Sequence, residues 1–180
     1  MTKRSLVLLA MLIIGLFATQ ASALEFEDAS FYAQGAIQLP IGDWSDFVSL
    51  GFGPGVGIHV PHSDELAFRG ELSYFFYSTD SDFFGDDADV SASALPILVL
   101  GQYNLEDSPV YIIGGLGLTM LSVDIEYDSA FGSFSSDDSS TEFSFVAGAG
   151  FWAGESFSIE GRFNLISDAN SLQAGGVFHF

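Results

Sequence analysis

"LGFGPGVGIHV", residues 50–60, alternates apolar residues with small or polar ones at a period of two. Side chains alternate between the two faces of a strand, so this stretch predicts a strand with one apolar face. That face carries Leu50, Phe52, Pro54, Val56, Ile58 and Val60, whereas the other carries four glycines and His59.

Seven further segments repeat the pattern, some strongly and some weakly. Each predicted strand has 9–12 residues, the length that a tilted strand needs to cross a bilayer. The even number of strands is typical of bacterial outer-membrane barrels. The eight predicted strands are residues 31–39, 50–60, 66–77, 94–103, 110–121, 143–153, 157–166 and 172–180.

The connections between these strands differ in length. Those after the first, third, fifth and seventh strands are longer as a group than the turns at 61–65, 104–109 and 154–156. Long loops on one side and short turns on the other are typical of an outer-membrane barrel. We therefore predict an all-β fold, an eight-stranded antiparallel up-and-down transmembrane barrel. The long connections are residues 40–49, 78–92, 124–142 and 167–171.

A soluble β-sandwich or lipocalin-like barrel is the alternative. Its apolar faces would point inward to a core. Here the faces opposite the apolar ones collect Gly, Arg, Glu, Gln and Asn. These residues suit a narrow polar lumen and favour the membrane barrel.

Residues 1–23 have the pattern of a signal peptide. A basic start, "MTKR", precedes an apolar run and a small-x-small cleavage motif at Ala21-Ser22-Ala23. An uncleaved anchor is the alternative, although the apolar run is short for a spanning helix. We expect residues 1–23 to be removed and residues 24–180 to form the barrel domain.

The charge of the predicted mature chain is strongly negative. It contains no Lys, two arginines (Arg69 and Arg162) and all 24 acidic residues, for a net charge of −22. Nothing in it could neutralise nucleic-acid phosphates, so nucleic-acid binding is excluded. The absence of Cys excludes a disulfide framework.

The segments "GFGPGVGIHV", "LPILVLGQY", "VYIIGGLGLT", "FVAGAGFWA" and the terminal "GGVFHF" together resemble a known group. Residues 31–180 are similar to the small eight-stranded outer-membrane barrels, the OmpA-barrel and OmpX/Ail-like group. The resemblance implies location in the cell outer membrane of a Gram-negative bacterium, contact with membrane lipid and lipopolysaccharide, and a monomer. It also implies that the barrel-assembly machinery reads Phe178 and Phe180 as an assembly signal.

The two arginines of the mature chain each lie two residues from a glutamate. Arg69 and Glu71 face the lumen from the third strand, and Glu160 and Arg162 face it from the seventh, across the ring. We expect the four to form a charge network that plugs the lumen, with glycines 51, 53, 55 and 57 making room for Arg69 and Glu71. Separate pairs within each strand are the alternative.

Acidic residues concentrate in the connections predicted to be extracellular. Residues 80–89 faintly resemble a calcium-binding EF-hand loop, but Phe84 and Ser91 replace two of its ligands. Divalent cations could bridge such acids to lipopolysaccharide phosphates; plain solvation is the alternative. The candidate cation contacts are Asp80, Asp82, Asp86, Asp87, Asp89, Asp137 and Asp138.

The three histidines give no sign of catalysis. His59, His62 and His179 all fall at the predicted periplasmic end, away from outer-leaflet lipid. We predict no enzyme activity and no cofactor. The function indicated is a structural or surface-interaction role, in adhesion or envelope integrity, with a possible extracellular ligand bound by the acidic loops. A narrow porin-like channel is the alternative, and a lipid A-modifying enzyme is less well supported.

Overall fold

The computed structural model describes residues 28–46, 48–79, 88–129, 132–167 and 169–180. Within these ranges, no helix is long and apolar enough to cross a membrane. A short 3-10 helix, Gly42–Asp46, follows the first strand. The strands are β1 (Ser30–Pro40), β2 (Val48–Pro61), β3 (Leu66–Ser73, resuming as Phe75–Thr79), β4 (Ala88–Asn104), β5 (Val110–Ser129), β6 (Gly132–Trp152), β7 (Phe157–Ile166) and β8 (Ser171–His179).

The eight strands close into a barrel. Each pairs antiparallel with its neighbours in sequence, and β1 pairs with β8 from Tyr32↔His179 to Pro40↔Ser171. Phe31 and Phe180 continue that ladder through two backbone hydrogen bonds of 3.0 and 3.3 Å. Closure removes the two sheet edges that an open sheet would leave unpaired in lipid. The predicted fold is confirmed.

Exposure alternates along the strands as the sequence predicts, and its sense is that of a membrane barrel. Large apolar side chains stand on the outside, for example Phe52 (57% exposed) and Ile159 (52%). Charged and amide side chains such as Arg162 and Gln34 are buried inside. Val60, expected on the outer face, is instead buried.

β3 is interrupted at Tyr74, where the predicted strand 66–77 was continuous. The Tyr74 N–H donates to the Pro54 carbonyl at 2.9 Å, and the Tyr74 carbonyl presses onto Gly53. A Cβ at Gly53 would lie 1.8 Å from that oxygen, so only glycine allows this approach. β2 also shifts its register between Val48 and Gly51. Irregularities of this kind accompany a local bend in a strand, and an alternation pattern in the sequence does not encode such a bend.

The prediction of a loop at 124–142 is wrong. β5 and β6 pair without a break from Val110↔Phe151 to Ser129↔Gly132. β4 follows alongside to Ala88↔Tyr127. Ile125 and Tyr127 continue the alternation of Leu121 and Val123, but residues 132–142 are mostly Ser, Asp and Thr without apolar alternation, and backbone hydrogen bonds to adjacent strands still form the ladder. We call residues 88–91, 124–129 and 132–138 the projecting sheet.

The two ends of the barrel are distinct. The base carries the short turns at 62–65, 105–109 and 153–156 together with Phe180. The mouth carries the helix Gly42–Asp46, the connection 167–170 and the projecting sheet.

Candidate functional site: the charged lumen and the mouth

The lumen brings together Arg69, Glu71, Glu160 and Arg162, which we call the quartet. Arg162 contacts Glu71 across the barrel through two contacts, Nη1–Oε1 and Nη2–Oε2, both 2.8 Å long. Arg69 reaches Glu160 across the lumen through a single contact, Nη1–Oε1. All four side chains are at most 3% exposed.

Contacts within each strand are present as well. Arg162 Nε donates to Glu160 at 2.8 Å, and Arg69 Nη2 lies 3.6 Å from Glu71 Oε2. The structure therefore combines the two arrangements that the sequence left open. Two positive and two negative charges cancel, which offsets the cost of burying each ion.

Neutral side chains from two other strands, β1 and β5, complete the hydrogen bonding of the two carboxylates. Tyr32 and Gln34 of β1 donate to Glu71 at 3.1 and 2.7 Å. Tyr111 of β5 donates to Glu160 at 2.6 Å. Sequence reasoning missed these partners, although their inward position could be read from the parity of the predicted strands. Buried carboxylates satisfied in this way remain ionised and rigid.

Arg69 is less completely paired than Arg162. Its Nε and Nη2 atoms are buried, and neither has a hydrogen-bond partner among the described residues. Its guanidinium lies over the Tyr32 ring, with Cζ 4.3 Å from the ring centroid. A cation held over an aromatic face gains electrostatic stabilisation that partly replaces the missing hydrogen bonds.

The glycines of β2 do not make room for Arg69 and Glu71, and that expectation is wrong. A Cβ at Gly57 would lie 2.2 Å from the Tyr32 ring, and one at Gly51 would lie 2.6 Å from the Tyr77 ring. A Cβ at Gly55 would meet Ser73 and Gln34. The glycines therefore admit tyrosines and a glutamine, and Tyr32 in turn supports Arg69.

An apolar layer closes the lumen between the quartet and the mouth. It is a cluster of buried side chains that includes Val48, Phe75, Tyr77 and Leu121. Between this layer and Glu71, the cavity bounded by Gln38 measures about 10 Å³. That volume holds roughly one water molecule. The interior of the barrel is therefore packed in successive layers, with the quartet below and the apolar layer above.

Two of the three histidines at the base pack against each other and against other rings. His179 lies between Trp152 and Tyr32, with ring centroids 4.7 and 5.6 Å apart, and His59 lies 5.8 Å from His179. His62 is exposed in a turn. All three are at the end where the sequence placed them.

The candidate cation contacts are only partly described. Asp80, Asp82, Asp86 and Asp87 lie outside the described residues, and Asp89 and Asp137 are described in backbone only. Asp138 is exposed on β6. Within the described ranges, no group of three or more His, Cys, Asp or Glu side chains could hold a metal ion.

Trp44 and Phe47 lie near predicted strand ends, and from the sequence we expect both in an aromatic girdle facing lipid. For Trp44 that expectation is wrong. It packs inward at the mouth against the apolar layer, edge-on to Tyr77 with ring centroids 6.0 Å apart. The helix Gly42–Asp46 turns it over the opening. Phe47, expected in the same girdle, lies outside the described residues.

Phe178 and Phe180 lie on the outer surface of the barrel, 53% and 69% exposed. Their rings neighbour each other, with centroids 6.3 Å apart. Both are on the last strand, beside its seam with β1. Their role as an assembly signal stays a prediction.

The family follows from residues 8–179, which match the model of the outer membrane protein beta-barrel domain. The chain belongs to that family. The predicted resemblance is confirmed, and with it the placement of this chain among outer-membrane barrels.

Several solved barrels share the fold at low sequence identity. Ail, the attachment invasion locus protein of Yersinia pestis, superposes with a TM-score of 0.61 at 15% identity, covering 84% of this chain and 97% of that one. The N-terminal barrel domain of Pseudomonas aeruginosa OprF gives 0.58 at 14% identity, with 84% and 97% covered. Neisserial surface protein A gives 0.54 at 18% identity, with 84% and 99% covered. No curated protein matches the chain in sequence.

Proposed function

We propose that this outer-membrane barrel acts at the cell surface through its acidic projecting sheet, while its lumen stays closed. The observation that carries the proposal is the continuation of β4, β5 and β6 beyond the barrel wall. β7 pairs with β6 only from Ser144 to Trp152. The rest of β6 serves a purpose other than closing the barrel.

The edge of β6 is open along residues 132–143. Among the described residues, these pair only with β5 and leave their other side unpaired. Twelve residues of strand extend about 40 Å at ~3.4 Å per residue. An open strand edge is a template on which an extended segment of another protein can add as a further strand.

Charge selects the class of partner. Asp124, Asp138 and Ser136 are exposed on this sheet, whereas both arginines of the predicted mature chain are buried in the lumen. A positively charged protein segment fits such a surface, because opposite potentials steer association. Ail has been solved with the heparin analogue sucrose octasulfate, a polyanion. A polyanion does not suit this surface unless divalent cations bridge the two.

The packing of the lumen supports a surface role over the alternative of a channel. The quartet and the apolar layer lie across the lumen at two levels, and the cavity between them measures about 10 Å³. The histidines lie at the base, away from the mouth, which supports a role without catalysis. In this proposal the signal peptide directs export, the assembly machinery inserts the barrel, and the mouth faces the exterior.

Shortening the projecting sheet tests the proposal. Residues 124–137 are replaced by Asn-Gly, which joins the paired residues Val123 and Asp138 through a two-residue turn. Cells that display the wild type should bind a fluorescent decalysine peptide, and cells with the short hairpin should lose most of that binding. Glu155→Gln in a base turn is the control and should bind as the wild type does. Equal binding by the short-hairpin cells, with equal protein in the outer membrane, would contradict a surface role for this sheet.

A further inference from the structure

The mouth contains a pocket that the surface role does not use. It measures about 200 Å³ and lies between the helix Gly42–Asp46, strands β5 and β6, and the connection after β7. It sits on the apolar layer, to which Leu121 and Ala169 belong. Its lining residues are Trp44, Leu121, Val123, Asp138, Ser140 and Ala169.

The floor of this pocket is apolar. Leu121 and Ala169 are 8% and 3% exposed, and Trp44 and Val123 pack against the same cluster. A dry cavity of ~150 Å³ lined by apolar side chains accommodates benzene. The pocket therefore has room for one aromatic ring or branched aliphatic group and a few further atoms.

Two polar residues line the pocket beside that floor. Asp138 and Ser140 are exposed, and their partners across the β5–β6 ladder, Val123 and Leu121, line the same pocket. The Trp44 Nε1–H is buried, has no acceptor among the described residues and has almost no accessible surface, so a ligand in the pocket meets the Trp44 ring and not this donor.

The charge of the chain decides between ligand classes. With a net charge of −22 for the predicted mature chain, a carboxylate or phosphate would be repelled at the mouth. A cation would be attracted to the mouth and could pair with Asp138.

We propose that this pocket binds a small amphipathic cation that carries a primary ammonium group and one aromatic or branched aliphatic group. The apolar group rests on Leu121 and Ala169, and the ammonium group faces Asp138. The site shares Asp138 and Ser140 with the open stretch of β6, but it uses their side chains, whereas the strand addition proposed above uses the backbone edge.

The chain supplies its own reporter for this binding. Trp44 and Trp152 are its two tryptophans, one at the mouth and one at the base. In a Trp152→Phe variant of the refolded mature protein, all tryptophan emission comes from Trp44. Titration with phenylalaninamide should then change that emission saturably, with a Kd on the order of 1 mM for a ligand of this size.

Two ligands and two variants complete the test. The neutral analogue 3-phenylpropanamide and the anion N-acetylphenylalaninate should bind more weakly than phenylalaninamide. In the same Trp152→Phe background, Asp138→Asn should weaken binding of phenylalaninamide about threefold. Glu155→Gln, which removes the same charge at the base, should leave the affinity unchanged.

Three results would overturn the proposal. The first is an emission change that grows linearly with ligand, as partitioning into the detergent would give. The second is equal affinity for the cation and the neutral analogue. The third is equal weakening by Asp138→Asn and Glu155→Gln, which would assign the attraction to overall charge and not to this pocket.

Discussion

Arg162 and Glu71 lie on β7 and β3, on opposite sides of the barrel, and meet in a two-pronged ion pair with both contacts at 2.8 Å. The pair spans the lumen, so it fixes the distance between two walls that share no backbone hydrogen bond. Since Arg162 also donates to Glu160, one guanidinium holds both carboxylates. The quartet therefore connects opposite walls of the barrel as well as occupying the lumen.

Removal of Arg162 should therefore be costly. Arg162→Ala leaves Glu71 and Glu160 buried with Arg69 as their one cation, and breaking a buried ion pair from one side costs about 3–5 kcal/mol. Glu71→Ala/Arg162→Ala should cost less than the sum of its two single changes, because the second change removes the stranded charge. Urea unfolding of the refolded barrel in lipid vesicles measures these differences.

Gln173→Ala is the matched control for that series. Gln173 lies on β8, where it pairs in register with Arg162 of β7. It is buried like Arg162, but it is neutral and accepts hydrogen bonds from Gln38 and Asn164. Its loss should cost about 1–3 kcal/mol, the range for uncharged buried donors left without their acceptor. Additive effects at Glu71 and Arg162 would show that each strand keeps its own pair.

The sequence predicts the walls of the barrel well because period-two alternation is a local signal. Strands and faces follow from it, as do the inward positions of Arg69, Glu71, Glu160 and Arg162. Which side chains contact each other inside the lumen depends on the stagger between strands, and the sequence of a single strand does not encode that stagger. Alternation along the strands predicts that Tyr32, Gln34 and Tyr111 face the lumen. Their hydrogen bonds to the two glutamates could not be predicted, because they depend on the offset between strands.

Two other features were beyond the sequence for different reasons. The half of the projecting sheet that β6 supplies is mostly Ser and Asp, so its composition indicates a loop, whereas backbone pairing with β5 makes it a strand. The place of Trp44 near a strand end predicts that it faces outward, but the helix Gly42–Asp46 carries it over the mouth instead.

Close packing at Gly57 gives a second prediction. A Cβ there would lie 2.2 Å from the Tyr32 ring and 2.5 Å from the Gly70 carbonyl oxygen, which is backbone and cannot turn aside. Gly57→Ala should destabilise the barrel by about 1–3 kcal/mol, the cost of overpacking. Gly35→Ala on β1 is the control, since a Cβ there meets nothing within 4 Å. Urea unfolding compares the two, and equal stabilities would contradict tight packing of Tyr32 on β2.

The role of Phe180 gives a third prediction, and Phe31 is its control. The two residues bond through their backbones at the seam and are 69% and 60% exposed. Phe180→Ala and Phe31→Ala therefore remove similar lipid-facing area and leave the ladder intact. If Phe180 is read during assembly, Phe180→Ala should lower the amount of heat-modifiable barrel in cell membranes several-fold, and Phe31→Ala should not. Both should refold alike in detergent; equal loss in cells would assign Phe180 a role as a lipid anchor only.

The layered interior gives a fourth prediction, on conductance. The wild-type barrel in a planar bilayer should carry no current above the bare membrane, because the quartet and the apolar layer each lie across the lumen. Either the quartet or the apolar layer alone should be enough to prevent ion flow. Replacement of all four quartet residues by Ala should therefore stay silent, and so should Phe75→Ala/Tyr77→Ala, which opens the apolar layer. The six changes combined should produce steady conductance, provided that a heat-modifiable electrophoretic band shows each variant to be folded.

Steady current through the wild type would instead favour the channel. Current through the variant that lacks only the quartet would show that the apolar layer is no barrier to ions.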